Sequence, residues 1–298
     1  MVLAGGTGGA ALAAGFQEVA PAEDLTVIAN TADDDEFWGL LVSPDVDAVI
    51  YRLAGVFNEQ AGYGVKDDTF AVLDALARAG EDTWFRIGDS DFATHLIRSD
   101  MLRRGSTSTE AALLLCRRFG LRARVLPMTD DIVRTRFATD EGELSFQEYF
   151  VRERLRPRLR GIKFAAPEPA HASREVQAAL READLVVIGP SNPLISIDPI
   201  LQLTREFMPR LKTVAVTPIV AGGALKGPTV EMMRAMGLRP DPVEVARSYC
   251  DIASGFVLDE RDRDLAAPIE GLGYRVVLVD TIMRDGGRAL ARAILGDV

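Results

Sequence analysis

Two clusters of acidic side chains near the start of the chain are the residues best suited to chemistry. Four consecutive acids stand in the segment Asn30–Glu36, and Asp45 and Asp47 follow in a second cluster. Carboxylates at this density repel one another unless a hard cation lies between them, and Mg²⁺ prefers such oxygen ligands. A solvated turn would explain any single acid of the first group. The whole cluster favours a Mg²⁺ site in which carboxylates and phosphate oxygens share the cation.

A glycine-rich segment precedes these acids and is suited to binding an anion. It consists of Gly5, Gly6, Thr7, Gly8 and Gly9, between the apolar Met1–Ala4 and the helix-favouring Ala10–Phe16. The first amides of a helix have no partner within it, and with the helix dipole they attract phosphate where side chains are absent. The segment also matches the loose G-x-G-x-x-A dinucleotide pattern. The alternative is a tight strand-to-helix turn without a ligand.

Two further segments could present polar groups to a ligand. In Gly189–Pro193, two prolines fix the loop and leave Ser191 and Asn192 as hydrogen-bonding side chains. Arg86 interrupts the short apolar piece Trp84–Ile87, so it either faces solvent on an edge strand or is aimed into a pocket. The residue types alone do not separate these two orientations.

The remaining charged candidates favour structural roles. His95 stands in a helical pattern near Asp91, which is more typical of a hydrogen-bonded structural histidine than of a base. The basic stretch Arg152–Arg160 is either a solvated linker or a lip that attracts an anionic substrate.

Seven predicted strands alternate with helical segments and would position these groups. The strands are Met1–Ala4, Leu25–Asn30, Arg122–Leu126, Asp184–Ile188, Thr213–Thr217, Gly255–Leu258 and Arg275–Val279. This alternation predicts an α/β fold with a doubly wound, mostly parallel Rossmann-like sheet and a smaller, mainly helical subdomain. Ligands of such sheets bind at the carboxyl ends of the strands, where both acidic clusters would lie.

Composition and charge exclude several classes of partner. The 298 residues carry a formal net charge of −10, which argues against nucleic acid or an anionic membrane. No apolar run reaches the roughly 18–20 residues that cross a bilayer, so we expect a cytoplasmic protein. Cys116 and Cys250 lie among apolar neighbours and are expected to be reduced core residues.

Seven short motifs, in the same order along the chain, resemble those of the CofD family. They are Gly5–Gly8, Asn30–Asp34, Ser43–Asp47, Gly88–Asp91, Leu126–Asp130, Gly189–Pro193 and Asp259–Asp262. The resemblance covers essentially the whole chain. That family comprises 2-phospho-L-lactate transferases and bacterial enolpyruvyl-transferring relatives, which make the side chain of the deazaflavin coenzyme F(420).

The resemblance implies a Mg²⁺-dependent transferase. The terminal ribityl hydroxyl of the deazaflavin Fo would attack a guanosine-diphosphate-activated lactyl or enolpyruvyl phosphate, release GMP and form a phosphodiester. The resemblance also implies a single domain over residues 1–298, with an inserted, mainly helical acceptor-binding part at roughly 44–120, and a homodimer.

Site roles follow from the same resemblance. The family's deazaflavin contacts fall on Asp47 and Arg86, which favours the pocket orientation of Arg86. The glycine loop with Ser191 and Asn192 would hold the guanosine diphosphate portion. We assign Asp34 and Asp45 as metal ligands and Asp47 as the catalytic partner of the attacking hydroxyl, although residue type alone does not separate a ligand from a base.

One motif departs from the family pattern, and two other functions remain as alternatives. The family commonly has Gly-Asp-Arg-Asp where this chain has Ser90 within Gly88–Asp91, so an anion contact is missing or supplied elsewhere, and the donor is left open as lactyl, enolpyruvyl or glyceryl. A YvcK-like protein that binds a nucleotide sugar without catalysis ranks second, because its Asp-Asp-Gly-Gly-Ser segment is absent here. A nicotinamide dehydrogenase ranks third, since its fingerprint needs one acid near position 30 and not four.

Overall fold

The computed structural model of the protein describes residues 1–166, 170–225 and 227–297. Its strands are β1 Val2–Ala4, β2 Thr26–Ala29, β3 Asp35–Phe37, β4 Leu40–Val42, β5 Arg124–Pro127, β6 Arg134–Thr139, β7 Gly142–Ser145, β8 Leu159–Ala165, β9 Val186–Ile188, β10 Thr213–Val216, β11 Ile219–Val220, β12 Gly223–Ala224, β13 Gly255–Asp259 and β14 Arg275–Val279. Its α-helices are α1 Gly6–Val19, α2 Pro44–Leu53, α3 Ala71–Arg78, α4 Asp89–Arg103, α5 Ser108–Arg118, α6 Arg174–Glu182, α7 Asp198–Thr204, α8 Thr229–Ala235, α9 Pro242–Tyr249, α10 Ala266–Glu270 and α11 Arg288–Asp297.

A seven-stranded parallel sheet forms the centre of the molecule. Its strand order is β14-β13-β10-β9-β1-β2-β5, and all six neighbouring pairs are parallel. These are the seven strands expected from the sequence, and the α/β prediction is confirmed. The chain proceeds from β1 to β2 and β5 on one side, and it continues with β9 on the other side of β1. The carboxyl ends of β1 and β9 therefore form a topological switch point, where open α/β sheets bind their ligands.

Helices cover both faces of this sheet, so the strands are buried on both sides. In β1, Leu3 packs into one core while Val2 and Ala4 pack into the other, as strand alternation requires. The first core contains apolar residues of α6, α7 and α9, and the second contains those of α1, α2, α5 and α11. This three-layer arrangement holds the strand ends rigidly beneath the site.

Two insertions rise above the carboxyl edge of the sheet. Between β2 and β5, residues 30–123 form the β3–β4 hairpin and the helices α2 to α5. Between β5 and α6, the strands β6, β7 and β8 form a small antiparallel sheet in the order β7-β6-β8, with its own core around Phe137 and Tyr149. Strand β8 lies partly in the basic stretch Arg152–Arg160, which we expected to be a linker or lip.

The structure also bears on the conformation around Arg86 and on membrane crossing. Trp84–Ile87 adopts no regular secondary structure, so the edge-strand alternative for Arg86 is wrong. Across the described residues, none of the helices combines the length and apolar character that a bilayer crossing requires.

Candidate active site

The glycine loop lies at the switch point and is packed directly against the loop that follows β9. Helix α1 begins at Gly6, immediately after β1, so its first amides point out of the sheet edge. A Cβ on Gly8 would lie 2.4 Å from the carbonyl oxygen of Pro190, which explains why only glycine fits there. The Ser191 hydroxyl accepts hydrogen bonds from the amides of Gly5 (3.3 Å) and Gly9 (3.1 Å). The two loops thus form one structural unit.

This pairing determines which loop amides remain available to a ligand. The Gly6 amide donates to Asp45 Oδ1 at 2.5 Å, while Ser191 receives those of Gly5 and Gly9. Thr7 and Gly8 stand in the first turn of α1, where a helix supplies no carbonyl partner. Their amides are therefore the ones best placed to hold an anion.

A small cleft of about 140 Å³ opens over these amides, and we call it the loop cleft. It is lined by Gly5, Gly6, Thr7, Gly8, Asp33, Asp45, Phe146, Phe150, Pro190, Ser191, Asn192, Ile195, Ser196, Pro218, Gly227, Pro228 and Thr229. Asn192 Oδ1 caps the π-helical turn Pro193–Ile197 by accepting from the Leu194 amide at 3.0 Å. Its carbonyl is therefore engaged in holding the loop. Its amide group donates to Met232 Sδ at 3.5 Å and has a second N–H that can meet a ligand.

A larger cleft of about 390 Å³ adjoins the first, and we call it the aromatic cleft. It is lined by Gly6, Thr7, Val42, Pro44, Asp45, Asp47, Ala48, Tyr51, Gly62, Tyr63, Gly64, Trp84, Phe85, Arg86, Asp91, His95, Gln147, Val151 and Arg154. Exposed aromatic and aliphatic surface, such as Tyr63 at 45% and Val151 at 40% exposure, faces this space. Its size and walls suit a flat, largely apolar ligand.

Two cations stand among the lining residues of the aromatic cleft. The Arg86 guanidinium lies 4.4 Å from the centre of the Phe70 ring, so the neighbouring aromatic supports it in an exposed position. Arg154 adopts a left-handed backbone conformation with a φ of 51°. From the basic stretch, Arg154 is the residue that reaches this cleft, while Arg152 pairs with Asp82 at 3.4 Å.

The two clefts meet at three residues, Gly6, Thr7 and Asp45, which line both. Asp45 lies in the first turn of α2, where its Oδ2 accepts from the Asn30 amide group at 3.0 Å. A group bound over the α1 amides would therefore face a ligand in the aromatic cleft across the Asp45 carboxylate. This junction is where a bond between two bound molecules can form or break.

Three buried acids crowd the junction. Burial raises the pKa of Asp34 to about 8 and that of Asp45 to about 6. Burial, together with the charges of Asp45 and Asp34, raises the pKa of Asp33 well above its ordinary value. Among the described residues, Oδ1 of Asp33 and Oδ1 of Asp34 have no hydrogen-bond partner. Unpartnered buried carboxylate oxygens are the groups that a divalent cation would satisfy.

Asp47, the other acid of this cluster, is held by a cation of the protein itself. Both of its oxygens accept from the buried Arg98 guanidinium, with Nη1 at 3.0 Å from Oδ2. His95 lies between Asp47 and Asp91, at 3.6 Å and 3.3 Å from their carboxylates. Asp91 also accepts from the Tyr51 hydroxyl at 2.7 Å. His95 is buried and lines the aromatic cleft, and its Nε2 has no hydrogen-bond partner among the described residues, so its structural role stays a prediction.

The Asp47, Asp91 and His95 side chains come within 4.8 Å of one another, a spacing that a metal ion could bridge. However, Arg98 already supplies positive charge to Asp47, and the Tyr51 hydroxyl already donates a hydrogen bond to Asp91. The fit for a cation is therefore better at Asp33, Asp34 and Asp45, where oxygens lack partners.

The structure brings most of the sequence-predicted residues to these two clefts. Gly6, Thr7, Gly8, Ser191, Asn192, Asp45, Asp47 and Arg86 line one or both, together with Gly5. Gly9 and Asp34 line neither: the Gly9 amide donates to Ser191, and the Asp34 carboxylate accepts from the Ser43 hydroxyl. Ser90 is exposed and lines neither cleft, so the departure at this motif removes no side chain from the described cleft walls. Sequence reasoning missed Asp33, Tyr51 and Arg98; only Asp33 gave a signal, as one acid of four.

Comparisons with known proteins show which family this chain resembles. A family model described as 2-phospho-L-lactate transferase CofD matches residues 1–287. A 2-phospho-L-lactate transferase of Methanosarcina acetivorans is 38% identical over 99% of this chain and 98% of its own. One of Methanopyrus kandleri is 41% identical over 99% and 96% of the two chains. A protein of Streptomyces griseus named phosphoenolpyruvate transferase is 37% identical over 98% and 95%.

The fold also has a solved counterpart. The crystal structure of a UPF0052-family protein from Bacillus halodurans matches with a TM-score of 0.62 and 17% identity, over 99% of this chain and 98% of that one. At this identity the likeness concerns the fold, which is the same three-layer α/β arrangement.

Proposed function

Because the chain belongs to the CofD family of 2-phospho-L-lactate transferases, which act in coenzyme F(420) biosynthesis, we propose that it transfers a phosphate-linked three-carbon acid to the deazaflavin Fo. The observation that carries this proposal is the pair of clefts that meet at Asp45. A transferase must bring two molecules together at one point, whereas a binding protein for a single nucleotide sugar needs only one cleft.

The aromatic cleft is our proposed acceptor site. Its walls include Trp84, Phe85 and Tyr63, which can pack against the flat deazaflavin ring. Arg86 stands at the same wall and can pair with the ring, whose acidic hydroxyl makes it anionic near neutral pH. The ribityl chain would then extend towards Gly6 and Asp45, where the clefts meet.

The loop cleft is our proposed donor site. The free amides of Thr7 and Gly8 would hold the diphosphate, and the Asn192 amide group and the Ser191 hydroxyl face the same space. Its volume of about 140 Å³ suits the phosphates, so the guanosine would extend beyond it. Relatives that carry the names phosphoenolpyruvate transferase and 2-phospho-L-lactate transferase are similar to this chain to nearly the same degree, so we propose both acids as candidate donors.

Magnesium is the proposed cofactor, and Asp33, Asp34 and Asp45 are the residues that would hold it. When bound, the ion would neutralise charge on the donor phosphates beside these carboxylates. One oxygen each of Asp33 and Asp34 lacks a hydrogen-bond partner among the described residues, and these oxygens fit this role because an unpartnered oxygen makes a buried carboxylate costly in its charged form.

The protein's own groups would then direct the transfer. Asp47, fixed by Arg98, accepts a hydrogen bond from the ribityl hydroxyl and orients it towards the donor phosphorus. As the new P–O bond forms, the bond from phosphorus to the GMP oxygen breaks, and the hydroxyl proton leaves through Asp47. Phosphoryl transfer relies on positioning and charge neutralisation more than on a strong base, so an ion-paired carboxylate is sufficient.

Mass spectrometry of the product tests this function directly. The protein is incubated with Fo, Mg²⁺ and either the guanosine-diphosphate-activated lactyl or enolpyruvyl donor. We expect GMP and a phosphodiester of Fo with one of the two donors, and none in excess EDTA. Binding of the donor without any product from either one would favour the nucleotide-binding alternative, and undiminished turnover in EDTA would contradict the metal assignment.

The raised pKa values give the metal-free protein a specific pH dependence. Because burial raises the pKa of Asp34 to about 8 and that of Asp45 to about 6, the folded state retains protons that the unfolded state releases from about pH 4 upwards. Stability should therefore decrease as the pH rises from 5 to 8. Mg²⁺ would replace these protons, so it should raise the melting temperature more at pH 8 than at pH 6.

Thermal melts in EDTA and in Mg²⁺ at both pH values measure this difference. The variant Asp34→Asn is the control, because it removes a carboxyl whose pKa burial raises to about 8 and should flatten the pH dependence. An equal effect of Mg²⁺ at both pH values would place the cation elsewhere.

A further inference from the structure

The wall of the aromatic cleft that carries Trp84 is packed on one side by an aromatic cluster, in which the Phe85 ring stacks on Phe37 at 3.9 Å and Trp84 meets Phe37 edge-on. It belongs to the stretch between α2 and α4, in which α3 contributes Leu73 as its buried residue. Neither α3 nor α4 is capped by the residue that precedes it, Phe70 or Gly88. The starts of α3 and α4, at the other end of this wall, must therefore be fixed by other residues.

Asp89, the first residue of α4, caps the beginning of α3. Its Oδ2 accepts from the Thr69 hydroxyl at 2.5 Å and from the Ala71 amide at 3.0 Å. Its Oδ1 accepts from the Val72 amide at 2.9 Å. Both oxygens are thus occupied by donors from the other helix.

Asp68, just before α3, caps α4 in return. Its carboxylate accepts from the Ser90 amide at 2.8 Å and from the Asp91 amide at 3.1 Å. A backbone bond from the Asp89 amide to the Thr69 carbonyl, at 2.8 Å, lies between the two caps. We call Asp68 and Asp89 together the double cap.

Gly88 is required by this arrangement. A Cβ at position 88 would lie 2.2 Å from Asp68 Oδ2 and 2.5 Å from Asp68 Cγ. The Asp68 carboxylate is held by several amides, so it cannot give way without losing its caps. The glycine and the two acids therefore depend on one another.

The double cap leads directly into the aromatic cleft. On one side it fixes the start of α4, from which Asp91 faces the cleft and holds Tyr51. On the other side it fixes the chain that leads through Trp84 and Arg86 to Gly88. We propose that Asp68 and Asp89 are positioning residues that hold the acceptor wall at the spacing of a flat aromatic ring; this inference rests on the proposed function.

Three single variants test the double cap: Asp68→Asn, Asp89→Asn and Gly88→Ala. Both carboxylate oxygens of each acid accept hydrogen bonds. An asparagine side chain at either position would therefore place its NH₂ group against a donor and lose at least one of these bonds. We expect the KM and Kd for Fo to rise about tenfold, with kcat at saturating Fo and the Kd for GDP within about twofold. Loss of charge-assisted hydrogen bonds that position a wall should affect acceptor binding alone.

Matched controls bracket this result. Asp74→Asn neutralises an exposed acid of α3 that makes no side-chain hydrogen bond among the described residues, so both affinities should stay at the wild-type values. Arg86→Ala removes a cleft-lining cation and should weaken Fo binding alone. An Fo affinity that stays within twofold of wild type in all three test variants, or a parallel loss for GDP, would overturn the proposal.

A second measurement does not depend on Fo. The chain has two tryptophans, so Trp38→Phe leaves Trp84 as the reporter of the wall. Acrylamide quenching of Trp84 should increase in the double-cap variants on this background and stay constant in Asp74→Asn. If the wild-type protein fails to bind Fo, the proposed function is wrong. The quenching measurement still tests the double cap, because unchanged quenching of Trp84 in its variants would overturn the proposed positioning role.

Discussion

Replacing Asp45 with asparagine should lower kcat by roughly 10³-fold while the fold stays intact. Asp45 lines both clefts and anchors the Gly6 amide and the Asn30 side chain through its two oxygens. An amide removes the negative charge that would share a cation with the donor phosphates. Its NH₂ group would also face one of these two N–H groups, so one of the two hydrogen bonds that fix the junction would be lost together with the charge.

The stability of Asp45→Asn should not fall together with its kcat. Burial raises the pKa of Asp45 to about 6, so its ionised form is unfavourable in the metal-free fold above that pH. A neutral amide should therefore leave the melting temperature at pH 8 unchanged or higher, as often occurs when a strained active-site charge is removed. Steady-state kinetics and thermal melts of the same preparation separate lost chemistry from lost structure.

The neighbouring variant Glu36→Gln is the matched control. Glu36 belongs to the first acidic cluster, Asn30–Glu36, but is exposed and lines neither cleft among the described residues. Its kcat should remain near wild type. A loss of less than tenfold in Asp45→Asn would mean that the reacting centre lies away from the junction.

Replacing Arg98 with methionine should destabilise the protein by about 3–5 kcal/mol, because it leaves the Asp47 carboxylate buried without its counter-charge. Arg98 is 3% exposed, and its guanidinium reaches both Asp47 oxygens. For a chain of this size the loss corresponds to a fall in melting temperature on the order of 10 °C. Fo turnover should fall as well, because Asp47 would no longer be oriented.

A double variant identifies the cause. Adding Asp47→Asn to Arg98→Met removes the uncompensated charge, so the double variant should recover much of the lost stability but none of the activity. Arg104→Met is the control: Arg104 pairs with Asp100 on the surface of the same helix, and such pairs contribute about 0–1 kcal/mol. Equal melting temperatures for the single and double variants would show that packing, and not charge pairing, is the main role of Arg98.

The sheet was predictable because each of its strands combines an apolar run with a polar or glycine-rich end. Gly5–Gly8 after β1 and Gly189–Pro193 after β9 marked the switch point, and both motifs lie there. The loops around the site were less predictable, since contacts between distant segments determine them. The sequence indicates Ser191 as a polar group, but not that its hydroxyl accepts from the glycine-loop amides.

Arg98 shows why part of the site could not be read from the sequence. It is one of two arginines in α4, with Arg103, and nothing in its spacing separates a buried cation from a solvated one. The Gly88–Asp91 motif gives a related lesson. The family resemblance raised only the question of an anion contact that Ser90 cannot make, whereas Asp89 caps a helix some twenty positions earlier in the chain, a pairing that only the tertiary fold creates.

The two clefts are built from different parts of the chain, so recombination could change acceptor specificity without changing donor specificity. Most of the aromatic cleft comes from one uninterrupted segment between β2 and β5, while the loop cleft is assembled chiefly from loops that follow β1, β9 and β10. A crossover at the two ends of that segment would exchange the acceptor wall as a cassette and leave the glycine and Ser191 loops in place. Because Asp45 lies within the cassette, such a chimaera would inherit its acidic junction together with its acceptor wall.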